Sequence, residues 1–287
     1  MGNDTIEYRL GMAYEDRAEF TKNSAARRLL NIMAKKKSNL ALAADFYDLE
    51  QLFNVIDEIG PRIAVLKTHM DLMNYTKELT IEKSLDRLTT AAKDHKFMIF
   101  EDRKFADIGG VVKRQYEAGA FKIVDWSHLT NAHVWPGPGV ITGLYEAAQP
   151  YLEEGGDRGL ILLPYMTPKG NLFNKEIAQK IIDMGKEYPE FVMGWIGAGN
   201  PTGFLEHEVK EVPLGTLIMT PGCKLPGGAS DNIKHGQQYT DPENLISRGS
   251  DVIIVGSGIY KSENPSEAAE IYRSAGWEAY EARLEKY

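Results

Sequence analysis

The chain has 287 residues, 43% hydrophobic and 26% charged, with 33 basic against 41 acidic side chains, a formal net charge of −8 and one cysteine. This length can bury a full core as one large domain or two ordinary ones, and the apolar share argues against general disorder. One cysteine excludes an intramolecular disulfide and a cysteine-built zinc cage, which fits a reducing compartment, and the acidic balance argues against a nucleic-acid-coating protein.

The start, MGNDTIEYRLG, lacks the basic and apolar blocks of a secretory signal and carries Ile6 where a myristoylation motif has Ser or Thr. No stretch approaches the roughly 18 apolar residues of a membrane span. A soluble cytoplasmic protein with no membrane partner is expected. Residues 1–38, rich in Arg and Lys, read as a helical cover. Eight short apolar runs follow, bounded by Gly, Pro and charge: residues 39–46 (NLALAADF), 62–71 (RIAVLKTHMD), 96–104 (KFMIFEDRK), 121–127 (FKIVDWS), 159–166 (GLILLPYM), 190–197 (EFVMGWIG), 215–222 (GTLIMTPG) and 251–258 (DVIIVGSG). Each is apolar on both faces, as buried parallel strands are.

Segments of helical period lie between them. Residues 47–59 and 175–188 repeat apolar side chains at three- and four-residue spacing, and 266–287 reads as a long amphipathic closing helix. Eight strands alternating with helices predict an α/β fold, a (β/α)₈ TIM barrel with an N-terminal helical extension. Residues 1–287 then form one domain. A doubly wound open sheet is the alternative, because counting strands does not prove closure.

In such a barrel, chemistry gathers at the C-terminal ends of the strands, and here those ends are polar. The first run ends at Asp45. The second ends Lys67-Thr68-His69-Met70-Asp71, where a period of two puts Lys67, His69 and Asp71 on one face. The third ends Glu101-Asp102-Arg103-Lys104, then Asp107, with Asp102 and Lys104 on one face. Any one of these is most simply a solvated loop charge. Three successive strand ends carrying acids and lysines point instead to a shared site, where charges must alternate in sign because an unpaired buried ion costs several kcal/mol. Lys67, Asp102, Lys104 and Asp107 supply that alternation.

FEDRKFADIG (100–109), LKTHMD (66–71), TNAH (130–133), IMTPG (218–222), GQQY (236–239) and the closing AGWEAY, in this order, resemble the eukaryotic type of the orotidine 5′-monophosphate decarboxylase family. The likeness runs from about Ala25 to the C-terminus. It implies a homodimeric barrel without metal or cofactor, decarboxylating orotidine 5′-monophosphate to uridine 5′-monophosphate in pyrimidine biosynthesis. Lys67, Asp102, Lys104 and Asp107 would form the catalytic tetrad, with Asp107 delivered into the neighbouring subunit's site. Asp45 and Lys67 would hold the ribose hydroxyls, and Thr68, His69 and Asp71 would lie at the substrate. Asp102 would face the departing carboxylate, and Lys104 would protonate the carbon it leaves. Gln237 and Tyr239 would contact the phosphate, and backbone N–H groups near Gly256 and Gly258 can cradle an anion.

Four substrate-side positions depart from the family pattern. Ser257 stands where the family carries a phosphate-clamping Arg, Thr167 replaces a Ser that reads the pyrimidine edge, and Ala43 and Val111 replace a small polar residue and a Thr. An Arg fork binds phosphate bidentately, so its loss leaves two outcomes open. Lys224, Lys234 or His235 in the loop 221–237 supplies the charge, or the substrate carries no phosphate. Cys223 has no activating neighbour in the sequence and reads as structural. Gly137-x-Gly139 and Gly197-x-Gly199 lack the third glycine of a dinucleotide fingerprint, and His207 has no second histidine at metal-ligand spacing. Three functions result: the family reaction on a nucleotide-like anionic small molecule, the same tetrad on a different substrate in a diverged paralogue, and a non-enzymatic relative. A binding module has no need of clustered buried charges, which disfavours the third.

Overall fold

Eight short parallel strands close into a barrel in the computed structural model, which describes residues 8–198, 212–226 and 238–287. They are β1 (Leu40–Ala43), β2 (Val65–Thr68), β3 (Met98–Phe105), β4 (Leu129–Ala132), β5 (Gly159–Leu162), β6 (Val192–Ile196), β7 (Leu217–Pro221) and β8 (Val252–Val255). β8 returns to β1, with Leu40 opposite Ile253 and Leu42 opposite Val255, so the sheet has no free edge. This closure excludes the open sheet. Most strand residues are fully buried, as expected where side chains fill the barrel on one face and meet helices on the other.

The helices are α1 (Tyr14–Ala18), α2 (Ser24–Lys36), α3 (Leu49–Ile59), α4 (Ile81–His95), α5 (Gly109–Glu117), α6 (Ile123–Trp126), α7 (Gly139–Glu153), α8 (Lys175–Lys186), α9 (Pro242–Ser247), α10 (Ser257–Tyr260) and α11 (Pro265–Lys286). α3 shows how local chemistry sets them. Asp48 caps its start by accepting from Gln51 N–H at 2.8 Å, and Leu49, Leu52, Phe53, Ile56 and Ile59 bury one face. Each such buried side chain contributes about 1.5–3 kcal/mol of transfer free energy. No helix among the described residues is long and apolar enough to cross a membrane.

One strand lies elsewhere than its apolar run suggests. Residues 121–127 do not form β4. Ile123–Trp126 makes one helical turn closed by Ser127 N–H on Ile123 C=O at 3.0 Å, and Trp126 Nε1 donates back to Phe121 C=O at 2.8 Å. The strand begins two residues after that turn, at Leu129.

Residues of the N-terminal segment pack at the N-terminal ends of β6 and β8. Arg9 and Arg17 donate to Asp251, the residue before β8, at 2.6 and 2.5 Å, and all three side chains are buried. Tyr14 stacks on Tyr280 of α11 with ring centroids 4.0 Å apart. Asn23 caps α2 through Ala26 N–H and donates to the carbonyl of Phe191 beside β6. At the opposite end, α5 and α7 cross closely because both carry glycine. A Cβ on Gly143 would lie 2.2 Å from the Gly109 carbonyl oxygen. That contact fixes the turn that follows Asp107.

Candidate active site

A cavity of about 300 Å³ opens at the C-terminal mouth of the barrel. Lys67 and Asp102 enter it from adjacent strands because their positions on β2 and β3 point inward, and Lys67 Nζ donates to Asp102 Oδ2 at 2.9 Å. The same ammonium donates to Asp45 Oδ1 at 3.1 Å and lies 3.1 Å from His69 Nε2. Lys104 Nζ donates to the other oxygen of Asp102 at 2.5 Å. Asp102 thus sits between two ammonium groups, as the alternating-charge reading requires.

Burial works against the charges of Asp102 and Lys67, and their pairing overcomes it. Burial alone would push the Asp102 carboxyl up, but Lys67, His69 and Lys104 hold it well below the usual carboxylate range. Burial alone would lower the Lys67 ammonium, but Asp102 and Asp45 hold it above the ordinary lysine value. Both groups are therefore charged at neutral pH. Removing one partner of such a pair strands the other and costs about 3–5 kcal/mol.

Asn131 completes the network. Its Nδ2 donates to Asp102 Oδ1 at 2.6 Å, and its Oδ1 accepts the backbone N–H of Lys104 at 2.7 Å. Reading the charges alone misses this residue. The signal was the motif TNAH, in which an amide sits on a strand buried on both faces.

Most of the anticipated substrate-side residues line the same cavity: Asp45, His69, Thr167, Tyr239, Gly256 and Ser257, together with Ala43. Thr167 is buried, and its carbonyl accepts from Gln238 Nε2 at 3.1 Å, tying the β5 loop to the segment after β7. Cys223 and Tyr260 also line it. Burial pushes the Cys223 thiol up, which suppresses the thiolate and fits a structural role.

Three anticipated residues stand elsewhere in this chain. β2 ends at Thr68 and passes into a turn of 3₁₀ helix at Met70–Leu72, so the period of two stops there. Lys67 and His69 keep their shared face, while Asp71 is exposed and away from the cavity. Thr68 faces the helix layer, where its hydroxyl donates to the buried Glu101 at 2.7 Å. Asp107 lies in the exposed turn before α5, where one carboxylate oxygen accepts the N–H of Ile108 at 2.7 Å, and it does not reach the other three charges of its own chain. Gln237, Lys234, His235, His207 and Gly199 lie outside the described residues. Among the described residues, no group of three or more His, Cys, Asp or Glu side chains is placed to hold a metal ion.

Residues 38–272 match the family described as "Orotidine 5'-phosphate decarboxylase / HUMPS family". The chain is 41% identical over 269 residues to the orotidine 5′-phosphate decarboxylase of Pichia kudriavzevii, across 93% of this chain and 97% of that protein. It is 42% identical over 275 residues to the uridine 5′-monophosphate synthase of Bos taurus, across 95% of this chain and 53% of that longer protein. The solved orotidine 5′-phosphate decarboxylase of Pyrococcus horikoshii superposes with a TM-score of 0.62 at 20% identity, over 83% of this chain and 98% of that one. The Methanocaldococcus jannaschii decarboxylase, complexed with the inhibitor BMP, gives 0.59 at 20% identity, over 82% and 97%. At that identity the two structures speak to the barrel alone.

Proposed function

The chain belongs to the orotidine 5′-phosphate decarboxylase / HUMPS family, and from that membership we propose that it is a cofactor-independent lyase converting orotidine 5′-phosphate to uridine 5′-phosphate. The observation that carries the proposal is Asp102 held between Lys67 and Lys104 at 2.9 and 2.5 Å in the barrel mouth.

The geometry suits that chemistry. The bond from the pyrimidine ring to its carboxylate breaks, CO₂ leaves, and the bonding electron pair stays on the ring carbon. The Lys104 ammonium then gives that carbon a proton and recovers one from solvent. No cofactor takes the electrons, so the developing negative charge is stabilised by fixed positive charge. At about 4 Å and an effective dielectric near 20, one such pair is worth on the order of 4 kcal/mol, and a preorganised ammonium supplies it without solvent reorganisation. Asp102 would lie against the departing carboxylate, where like-charge repulsion is relieved as CO₂ forms. Asp45 and Lys67 would hold the ribose hydroxyls.

Asp107 enters this proposal through a homodimer. It is exposed and turned from its own cavity, Ile108 beside it is 64% exposed, and Trp135 in the loop after β4 is 54% exposed. An isologous pair covering that apolar surface would carry each Asp107 into the partner's site. The chain would then act as a cytoplasmic dimer of single-domain barrels, each with residues 1–38 as its cover.

Mixing inactive Lys104→Ala subunits with inactive Asp107→Ala subunits tests reaction and assembly together. After random exchange half the dimers are hybrids with one intact site of two, so about a quarter of wild-type turnover of orotidine 5′-phosphate is expected. No recovery after verified exchange would contradict shared sites.

A further inference from the structure

Backbone pairing between β2 and β3 ends where Thr68 stands opposite Glu101. The alternation of side chains sorts the two strand ends onto two faces. On the inner face Lys67 Nζ donates to Asp102 at 2.9 Å, and on the outer face the Thr68 hydroxyl donates to Glu101 Oε2 at 2.7 Å. The Glu101 carboxyl, buried and turned from the catalytic cavity, also reaches beyond the end of β2. Met70 N–H lies 3.0 Å from its Oε1 and 3.2 Å from its Oε2. Met70 opens the 3₁₀ turn, where an N–H has no partner within the helix. The carboxyl takes that donor, so a side chain extends the tie between β2 and β3 past the last backbone pair.

His69 is the residue between these two grips. It belongs to neither β2 nor the turn, and its backbone is neither strand-like nor helical, with φ of −128° and ψ of 75°. Its Nε2 nonetheless lies 3.1 Å from Lys67 Nζ and 3.3 Å from Asp102 Oδ2, inside the cavity. Its own carbonyl accepts only from within the turn, from Leu72 N–H at 3.0 Å. The connection from His69 to the rest of the barrel therefore runs through its neighbours. Thr68 is held by Glu101. Met70 is held at both ends, its N–H by Glu101 and its C=O by the Tyr75 hydroxyl at 2.8 Å.

We propose that Glu101 is a positioning residue for the reaction: by gripping Thr68 and Met70 from the outer face of β3, it sets the His69 imidazole against the Lys67–Asp102 charge pair. The role rests on the chain being the decarboxylase proposed above. Glu101 touches no reacting atom and acts through His69. Two successive residues of β3 then serve one site, Asp102 from inside the barrel and Glu101 from outside it. A misplacement of about 1 Å within such a constellation is enough to cost on the order of a hundredfold in rate.

Steady-state kinetics on orotidine 5′-phosphate test the role, together with the NMR signals of the His69 imidazole, assigned by their loss in His69→Ala. Glu101→Met keeps a long side chain but offers no acceptor. It should lower kcat/KM about tenfold or more and shift the His69 signals. Glu101→Gln should recover most of that loss, because Oε2 alone is within reach of both donors and an amide oxygen can stand in its place. The deciding comparison is His69→Ala/Glu101→Met against His69→Ala. If Glu101 acts through His69, the second substitution should lower kcat/KM by less than about a further twofold, whereas a general loss of structure would add in full. If Glu101→Met does not fold, Thr68→Val, which removes one grip, replaces it in the same comparison with an expected loss of about threefold. Full additivity, unmoved His69 signals or an unchanged kcat/KM overturns the role. Where the wild type turns over, the reaction then stands and Glu101 alone is rejected. A folded wild type without turnover overturns the reaction and with it this role, whatever the His69 signals show.

Discussion

Asn131 accepts the backbone N–H of Lys104 at 2.7 Å at the point where the lysine backbone turns left-handed, with φ of 52°. β3 and β4 pair at Glu101 opposite Thr130 and next at Phe105 opposite Ala132, so β3 spends four residues where β4 spends two. That bulge aims the Lys104 side chain into the cavity, beside Asp102. A left-handed residue with a side chain costs roughly 1–2 kcal/mol, and the Asn131 amide offsets this while its other end donates to Asp102 at 2.6 Å.

Asn131→Ala should therefore lower kcat for decarboxylation about tenfold or more, with a smaller change in KM, because the acid and its strained backbone lose a common anchor. Asn131→Asp should lower it further, since a carboxylate cannot donate to Asp102 and adds a like charge beside it. Steady-state kinetics on orotidine 5′-phosphate check both, and unchanged kcat in either variant contradicts the positioning role.

Glu101 faces away from the cavity, accepting from Thr68 Oγ1 at 2.7 Å and from Met70 N–H at 3.0 Å. Burial pushes its carboxyl up to about 8, against those two hydrogen bonds. Between the ordinary carboxyl value and about 8 the folded chain holds a proton that the unfolded chain has released. Stability should fall as pH rises through that interval and level off above it, with a total on the order of a few kcal/mol. Glu101→Gln removes the titrating group, so its melting temperature should decline less over the same interval. Parallel pH profiles for the two proteins would contradict this.

At the other end of the barrel, Asp251 neutralises a basic cluster. It pairs with Arg9 and Arg17, and Arg283 Nη2 lies 4.0 Å from its Oδ1. Burial opposes ionisation, but Arg17 and Arg9 hold the carboxyl down at about 2. Its contribution to stability is present above the ordinary carboxyl range and lost as pH falls towards about 2. Asp251→Asn should cost about 3–5 kcal/mol at neutral pH, because it leaves three buried guanidiniums without their anion. Urea unfolding followed at neutral pH measures it, and a loss under about 1 kcal/mol would show that the N-terminal cover is held by other contacts.

The barrel was legible in the chain because buried parallel strands write themselves as apolar runs, and runs such as LALA in β1 and VIIV in β8 have no competing explanation. β4 was not legible for the same reason. Its residues include Thr130 and Asn131, both buried, whose polar groups are satisfied by Glu101 C=O, Asp102 and Lys104. The more apolar stretch just before it is consumed by a helical turn. Period-two spacing grouped Asp102 with Lys104 and Lys67 with His69, and all four line the cavity, although Lys104 arrives there through the β3 bulge and His69 lies one residue past the end of β2. The pattern failed for Asp71 because β2 stops at Thr68 and no sequence signal marks that stop. Whether a loop residue such as Asp107 serves its own cavity or a neighbour's depends on a tertiary path that spacing does not encode.

The most direct measurement is the loss of orotidine 5′-phosphate absorbance with purified wild-type protein beside Lys104→Ala. The account expects turnover in the wild type, with uridine 5′-phosphate and CO₂ formed in equal amounts, and a loss of several orders of magnitude in the variant, which keeps the fold but has no acid beside Asp102. No turnover by a correctly folded wild type, or equal turnover by Lys104→Ala, would contradict it.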